Sequence, residues 1–368
     1  MTTRPYTILV IPGDGIGREV VPAAVAVLRA TGLPFVFEEA AAGWDCFQHT
    51  GTSLPEPTLA AARTADTVLF GAVASPSHPV AGYRSPIVRL RRELDLYANI
   101  RPVVEESPGH NIDLVVVREN TEGLYAGRER VEDNGATAIA ERVITRHASE
   151  RIARVAFDLA RARHAARAGA AGNTRAAPRV TVVHKANVLR ATCGLFRAVA
   201  LDVARTYPDV TVEEMLVDTC ALQLATRPER FDVIVTTNLF GDILSDVACA
   251  RGGGLGVAPS ANIGETHALF EPVHGAAPDI AGRGIANPLA AIGCAALLLE
   301  HLAQRTGPED AAPFRRCAAR IHDAIRRIHA SGPHTPDLGG NAMTADVTTA
   351  ILGLLRDPVI VPWSEGKH

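Results

Sequence analysis

An α/β fold in two domains, an open sheet flanked by helices, is what this sequence predicts, on three observations. Short β-branched runs alternate with longer helical patterns, the signature of strands and helices interleaved along one chain. The chain has 368 residues, enough at roughly 150 per domain for two cores. Two turn-rich passages, Pro102 to Asn111 and Gly252 to Gly264, break the alternation and are the expected crossings between domains. In order, Thr7 to Ile11 predicts a strand, Glu19 to Ala30 a helix, Phe35 to Glu39 a strand, Leu59 to Thr64 a helix and Thr67 to Phe70 a strand. Leu114 to Arg118 predicts the next strand, and the Ala- and Arg-rich stretch Ser149 to Arg167 a helix. Val180 to His184, Val210 to Val217 and Val233 to Thr236 complete the set of strands. The segment Ala168 to Pro178, rich in Ala, Gly, Asn and Thr without periodicity, reads as a mobile surface loop.

Composition excludes several classes of function. Lys plus Arg is 37 and Asp plus Glu 40, a net charge of −3, too near balance for a nucleic-acid or membrane-surface binder. Aromatic residues are only 5 %, too few for base-stacking platforms. Six cysteines, Cys46, Cys193, Cys220, Cys249, Cys294 and Cys317, are scattered without a CxxC pair. Neither a zinc site nor a disulfide framework is indicated, and buried reduced thiols are expected. The longest apolar run, Leu289 to Leu299, is interrupted by Gly293 and is far short of the roughly twenty residues a membrane span needs. Only six residues precede the first predicted strand, too few for a targeting peptide, so a cytoplasmic location is expected.

Gly13-Asp14-Gly15-Ile16-Gly17 follows a predicted strand, opens a helix, and has Glu38 and Glu39 about twenty residues on, which imitates a dinucleotide fingerprint. Arg18 stands where that fingerprint needs its third glycine, so a Rossmann clasp is not expected. The loop can still lie near a cofactor through its backbone amides.

Asp242 and Asp246 lie four residues apart, on one face if the stretch is helical. Their repulsion costs a few tenths of a kcal/mol in isolation. Such a pair is either solvated or brackets a cation. Asn238-Leu-Phe-Gly precedes it and Ile243, Leu244 and Val247 surround it, a partly enclosed setting that favours the cation. All-oxygen ligands suit Mg²⁺ or Mn²⁺, completed by substrate oxygens. Arg91, Arg101 and Arg118 end separate predicted elements, and guanidinium forks grip carboxylates with two hydrogen bonds. Tyr125 and Lys185 are the available proton-transfer groups.

Taken together these motifs resemble the β-decarboxylating hydroxyacid dehydrogenases, the isocitrate/isopropylmalate dehydrogenase family. The likeness rests on Ile11-Pro-Gly-Asp-Gly-Ile-Gly17, Leu90-Arg91 through Arg101-Pro102, Arg118-Glu-Asn-Thr-Glu-Gly-Leu-Tyr125, His184-Lys185-Ala-Asn-Val188, Asn238-Leu-Phe-Gly-Asp-Ile-Leu-Ser-Asp246 and Glu271-Pro-Val-His-Gly275. The passage Ser85 to Pro102 and the run Arg227 to Asn238 are most similar to the homoisocitrate dehydrogenase branch. The resemblance implies a large domain of residues 1–104 and 260–368 carrying a non-Rossmann NAD site. It implies a small domain of residues 105–259 carrying the dimer interface, Lys185 and the aspartates. It further implies a homodimer, with a tetramer of paired dimers as the alternative. In it Arg91, Arg101 and Arg118, with Ser85 and Asn187, bind a 2-hydroxy di- or tricarboxylate. Asp242 and Asp246 would hold the metal, while Asp218 and Lys185 reach in from the other subunit. Lys185 would take the alcohol proton and Tyr125 return one to the enolate carbon.

The coenzyme site implied by the same resemblance comprises Glu271, His274, Gly275, Asp279, Ile280 and Asn287. NADP-dependent relatives carry Lys and Tyr at the positions of Asp279 and Ile280. A carboxylate accepts hydrogen bonds from ribose hydroxyls and repels a 2′-phosphate, so NAD is expected. Ser85 aligns with a serine that binds the distal carboxylate in isocitrate-using relatives, which implies a polar substrate tail. Ile87 and Val88 are apolar, as in isopropylmalate enzymes, while Arg84 and Arg89 are not. Some homoisocitrate enzymes carry arginine where Val88 stands. Homoisocitrate is the expected substrate on the branch similarity of Ser85 to Pro102 and of Arg227 to Asn238, although Val88 replaces that arginine, with isocitrate, isopropylmalate and tartrate or malate as alternatives. A non-catalytic regulatory subunit, the remaining possibility, usually lacks a catalytic group, whereas all of those named are present.

Overall fold

In chain order the secondary structure is β1 (Tyr6–Gly13), α1 (Gly17–Ala30), β2 (Phe35–Glu39), α2 (Trp44–Thr50), α3 (Glu56–Thr64), β3 (Thr67–Ala72), α4 (Pro86–Glu93), β4 (Ala98–Ser107), β5 (His110–Glu119), β6 (Gly123–Glu132), β7 (Thr137–Val143), α5 (Arg146–Arg167), β8 (Arg179–His184), α6 (Thr192–Ala204), β9 (Thr211–Leu216), α7 (Val217–Thr226), β10 (Val233–Thr236), α8 (Asn238–Cys249), β11 (Pro259–Ile263), β12 (Ala268–Pro272), α9 (Leu289–Arg305), α10 (Pro308–Ser331) and α11 (Thr344–Arg356). The structure is a computed structural model and describes residues 4–78, 80–107, 110–168 and 177–356. Most of the loop expected at Ala168 to Pro178, and the tail 357–368, lie outside the described residues.

Ten strands form one mixed sheet in the order β2-β1-β3-β12-β11-β4-β5-β10-β8-β9. The flanks pair in parallel, as βαβ crossovers require. The centre, β12-β11-β4-β5, is antiparallel. Helices cover both faces, so the flanking strands read as continuous apolar runs rather than alternating ones. One group of apolar clusters comes from β1, β3, β12 and helices α1, α3, α4, α9, α10 and α11. A second group comes from β5, β8, β10 and helices α5 to α8. The apolar run from Leu289 is core helix α9, and a Cβ at Gly293 would sit 3.0 Å from Pro259.

The turn-rich passage Pro102 to Asn111 is where structure and expectation part. Apart from residues 108 and 109, which are not described, it is the end of β4 and the start of β5, a long antiparallel hairpin. Proline is tolerated there because Pro102 faces Val115, whose amide donates to Asp232 O at 2.8 Å on the far side. The β11 register with β4 ends at Ile100, so no neighbour needs the missing N–H. The switch points expected between residues 104 and 105 and between 259 and 260 fall inside β4 and at the start of β11. The chain thus crosses between the two groups of clusters along continuous strands.

The Gly13–Gly17 loop spends its amides internally. Asp14 N donates to Ala72 O (2.7 Å), Ile16 N to Ala276 O (2.9 Å) and Gly17 N to Asp14 O (3.0 Å). A Cβ at Gly13, whose φ is +74°, would lie 2.0 Å from Ala72 O, so glycine is required by both conformation and space. The buried Asp14 carboxylate accepts from Trp44 N, Asp45 N and Ala74 N, tying the loop to α2. This is a packed corner rather than a pyrophosphate cradle.

Candidate active site

The antiparallel centre positions the site by register. Arg118 on β5 faces Asn99 on β4, and Asn99 faces Asn262 on β11. With a period of two, Arg101, Arg118, Asn99, Ser260, Asn262 and Glu271 share one face of four adjacent strands. Helix α8 packs across that face and presents Asn238, Asp242, Ser245 and Asp246. Arg91 enters from the last turn of α4.

Arg118 is only 1 % exposed. Its Nε and Nη2 donate to Asn238 Oδ1 at 3.1 and 2.7 Å, and its Nη1 pairs with Asp242 Oδ1. Arg101 Nε donates to Asn99 Oδ1 (2.7 Å), and its Nη1 to Ser245 Oγ (2.7 Å), 3.2 Å from Asp242 and 3.8 Å from Asp246. Arg91 Nη2 binds Glu271 Oε1 at 2.8 Å, while its buried Nε has no partner. Burial, followed by the charges of Arg101 and Arg91, pushes the Arg118 guanidinium down to about 10. Arg91, Arg101 and Arg118 are matched in number by Glu271, Asp242 and Asp246, but the buried Arg91 Nε is left without an acceptor among the described residues, and an oxygen of a bound carboxylate would supply one.

The carboxylates respond in opposite ways. Burial raises Asp242, but Arg118 and then Arg101 outweigh it and hold the group below the usual range. Asp246 rises, through burial and the charge of Asp242, against the pull of Arg101. Tyr125 Oη donates to Asp242 Oδ2 at 2.8 Å, and its ring lies 5.1 Å from the Arg118 guanidinium carbon. Burial, then Asp242, raises the phenol. Among the described residues no three His, Cys, Asp or Glu side chains gather closely enough to enclose a cation. Asp242 and Asp246 nonetheless offer two partly exposed carboxylates on one helical face. That fits a hard cation completed by ligands from outside this chain's cluster.

Lys185 and Asp218 pair with each other. Among the described residues no hydrogen bond or ion pair joins them to the arginine cluster. Asn187 is exposed on the turn after β8, and Ser85 is half-buried at the head of α4. Arg89 is engaged on the outer side with Leu54 O and Glu56.

A second group lies where the 273–287 segment meets the Gly13–Gly17 loop. Glu19 accepts from Gly282 N (2.6 Å) and Gly284 N (2.8 Å). Asn287 Oδ1 accepts from Leu289 N (3.0 Å) at the start of α9, and its Nδ2 donates to Asp337 (3.0 Å). Burial lowers His274, whose Nε2 has no partner. Gly275 and Asp279 are exposed, while Ile280 rests on the core. Glu271, two residues before this segment, accepts from Arg91 and Asn262. The half-buried His274, whose Nε2 lacks a partner among the described residues, and the exposed Asp279 carboxylate are polar groups that fit a nucleotide.

Sequence reasoning left out Asn99, Asn238, Ser245, Asn262 and Asp337. An asparagine inside an apolar strand run is a usable signal, since a buried amide must find partners.

The sequence profile of isocitrate/isopropylmalate dehydrogenases matches residues 7–351. The chain belongs to that family. It is 50 % identical over 356 residues to an isocitrate/homoisocitrate dehydrogenase of Thermus thermophilus, covering 95 % of this chain and 99 % of the relative. It is 48 % identical over 356 residues to a 3-isopropylmalate/3-methylmalate dehydrogenase of Methanocaldococcus jannaschii, covering 96 % and 99 %. The crystal structure of isocitrate dehydrogenase from Methylococcus capsulatus superposes with a TM-score of 0.85 at 42 % identity, covering 96 % of this chain and all of that one. Family membership makes the protein an oxidoreductase of the β-decarboxylating kind.

Proposed function

We propose that this family member is an NAD- and divalent-metal-dependent homoisocitrate dehydrogenase. It would convert homoisocitrate and NAD to 2-oxoadipate, CO₂ and NADH, a step of lysine synthesis through 2-aminoadipate in the cytoplasm. The buried cluster of Arg91, Arg101 and Arg118 beside Asp242 and Tyr125 carries this reading. The three guanidiniums hold the malate-like part of the acid. NAD would supply the hydride acceptor for C2, and Lys185 of a second copy would take the hydroxyl proton. The electrons of the bond to the leaving carboxylate then flow toward the new carbonyl as CO₂ departs. Tyr125, kept protonated by burial and Asp242, gives a proton to the carbon left behind. Asp242 and Asp246 with Asp218 of a second copy would hold Mg²⁺ or Mn²⁺, which supplies positive charge beside the oxygen being oxidised. His274, Asp279, Ile280 and Asn287 would hold NAD.

A homodimer would complete this arrangement, because among the described residues of one chain no hydrogen bond or ion pair joins Lys185 and Asp218 to the cradle. Two further observations support it. The β6–β7 hairpin forms a separate two-stranded sheet, exposed over most of its length, and such a ribbon is marginal without a partner. Val131, Val188, Leu222 and Ile243 are the most exposed large apolar side chains among the described residues, and a second copy that covered them would gain their burial.

Isopropylmalate is the second reading, favoured by the half-buried Ile87 and Val88 and by the M. jannaschii relative. The test compares kcat/KM for homoisocitrate, isocitrate, isopropylmalate and malate at fixed NAD and Mg²⁺. Homoisocitrate should lead, and a tenfold preference for isopropylmalate would overturn the choice. Turnover that survived exhaustive chelation would overturn the metal role.

A further inference from the structure

The two arginines that flank the cradle are joined through the protein by a continuous buried chain. Arg101 Nε donates to Asn99 Oδ1 at 2.7 Å. Asn99 Nδ2 donates to Asn262 Oδ1 at 2.8 Å. Asn262 Nδ2 donates to Glu271 Oε1 at 2.8 Å, the same oxygen that receives Arg91 Nη2 at 2.8 Å. Asn99 and Asn262 are 0 % exposed. They are register partners on β4 and β11, so the sheet itself sets the spacing of the two amides.

The polarity of this chain admits one arrangement. A guanidinium can only donate and a carboxylate can only accept. Arg101 therefore turns the Asn99 oxygen toward itself and leaves its NH₂ for Asn262. Glu271 likewise demands the Asn262 NH₂ and leaves that oxygen for Asn99. The ends orient both amides, and the amides in turn fix the ends. Each link removed would strand a buried donor or acceptor on either side. Ser260 Oγ and Asn120 Nδ2 brace the chain laterally, accepting from Asn99 (2.9 Å) and donating to Asn262 (2.8 Å).

We infer that Asn99 and Asn262 are positioning residues that lock Arg91 and Arg101 into a single acid-binding unit, so that each guanidinium's grip depends on the other. This rests on the proposed function, since it takes the cradle to bind the substrate acid. Neither asparagine touches the acid. They act by holding the forks at the separation that a dicarboxylate requires.

The test uses the full-length Asn262→Leu protein, measuring KM for the best acid of the panel, KM for NAD, kcat and melting temperature. The acid KM should rise 10- to 100-fold, with the NAD KM within about threefold and kcat less affected. A double-mutant cycle gives the second readout. Arg91→Lys and Arg101→Lys should be strongly non-additive in acid KM when Asn262 is present and additive when it is Leu. Asn120→Ala, which removes the brace and a hydrogen bond to Leu96 O (3.0 Å) but leaves the chain itself intact, should lower the melting temperature and leave the acid KM within about threefold. If Asn262→Leu does not fold, Asn99→Ala severs the same chain one link nearer Arg101 and carries the same expectations. An unchanged acid KM in a folded variant, or coupling that persists without the chain, overturns the inference and leaves the cradle standing. Wild-type protein that turns over none of the acids overturns the functional reading, and this one with it.

Discussion

Gly241→Ala tests the packing of α8 on the sheet more sharply than any change to a charged residue. A Cβ at Gly241 would lie 2.6 Å from both Cβ and Cγ of Arg118 and 3.2 Å from its Cδ. An ordinary carbon contact is about 3.6 Å, so helix and strand must separate by about 1 Å. The Arg118 stem cannot move aside, because its head is pinned to Asn238 and Asp242. A shift of that size would stretch the 2.7 Å bond from Arg118 to Asn238 beyond hydrogen-bond range. Overpacking costs about 1–3 kcal/mol, and replacing glycine inside a helix returns about 1 kcal/mol. The net loss of stability is thus small, on the order of 0–2 kcal/mol. Activity should suffer far more, since a misplacement of about 1 Å can cost on the order of 100-fold. The assay is kcat/KM with the best acid, alongside thermal melting. Gly353→Ala in α11, where an added Cβ meets nothing within 4 Å, is the control and should gain about 0.4–1 kcal/mol without loss of turnover. A Gly241→Ala enzyme within threefold of wild type would refute the claim that this contact poises Arg118 and the aspartates together.

Asp279→Lys combined with Ile280→Tyr should move the ratio of kcat/KM for NADP over NAD upward by at least tenfold, measured by initial rates with each coenzyme. An unmoved ratio would show that these positions do not meet the ribose. His301 is buried against Phe270, and burial followed by the charge of Arg305 lowers it to about 4. It is neutral in the fold, so its contribution is complete above the unfolded value near 6.5 and is lost as pH falls from there toward 4, on the order of 3 kcal/mol. His301→Phe should flatten the acid limb of melting temperature against pH, and an unaltered limb would assign acid lability elsewhere. Leu222→Arg, at a side chain 63 % exposed on α7, should raise the dimer dissociation constant at least tenfold by sedimentation and reduce turnover with it. A fully dimeric, active variant would remove α7 from the interface.

Sequence alone determined the fold class, the strands at Phe35–Glu39 and Val233–Thr236 to the residue, and the identity of the charged groups, because those signals are local. Periodicity, a glycine corner and an i, i+4 carboxylate pair each sit within a few residues of one another. The β4–β5 hairpin was hidden because proline and glycine ordinarily mark turns, and only the neighbouring strand shows that Pro102 needs no N–H. Glu271, assigned to the coenzyme site by resemblance, accepts a hydrogen bond from Arg91 across 180 residues of chain. Asn99 and Asn262 meet across 163 residues. Tertiary structure alone decided these pairings, because strand register, a long-range consequence of burying both faces of the sheet, chooses which polar side chains share a row.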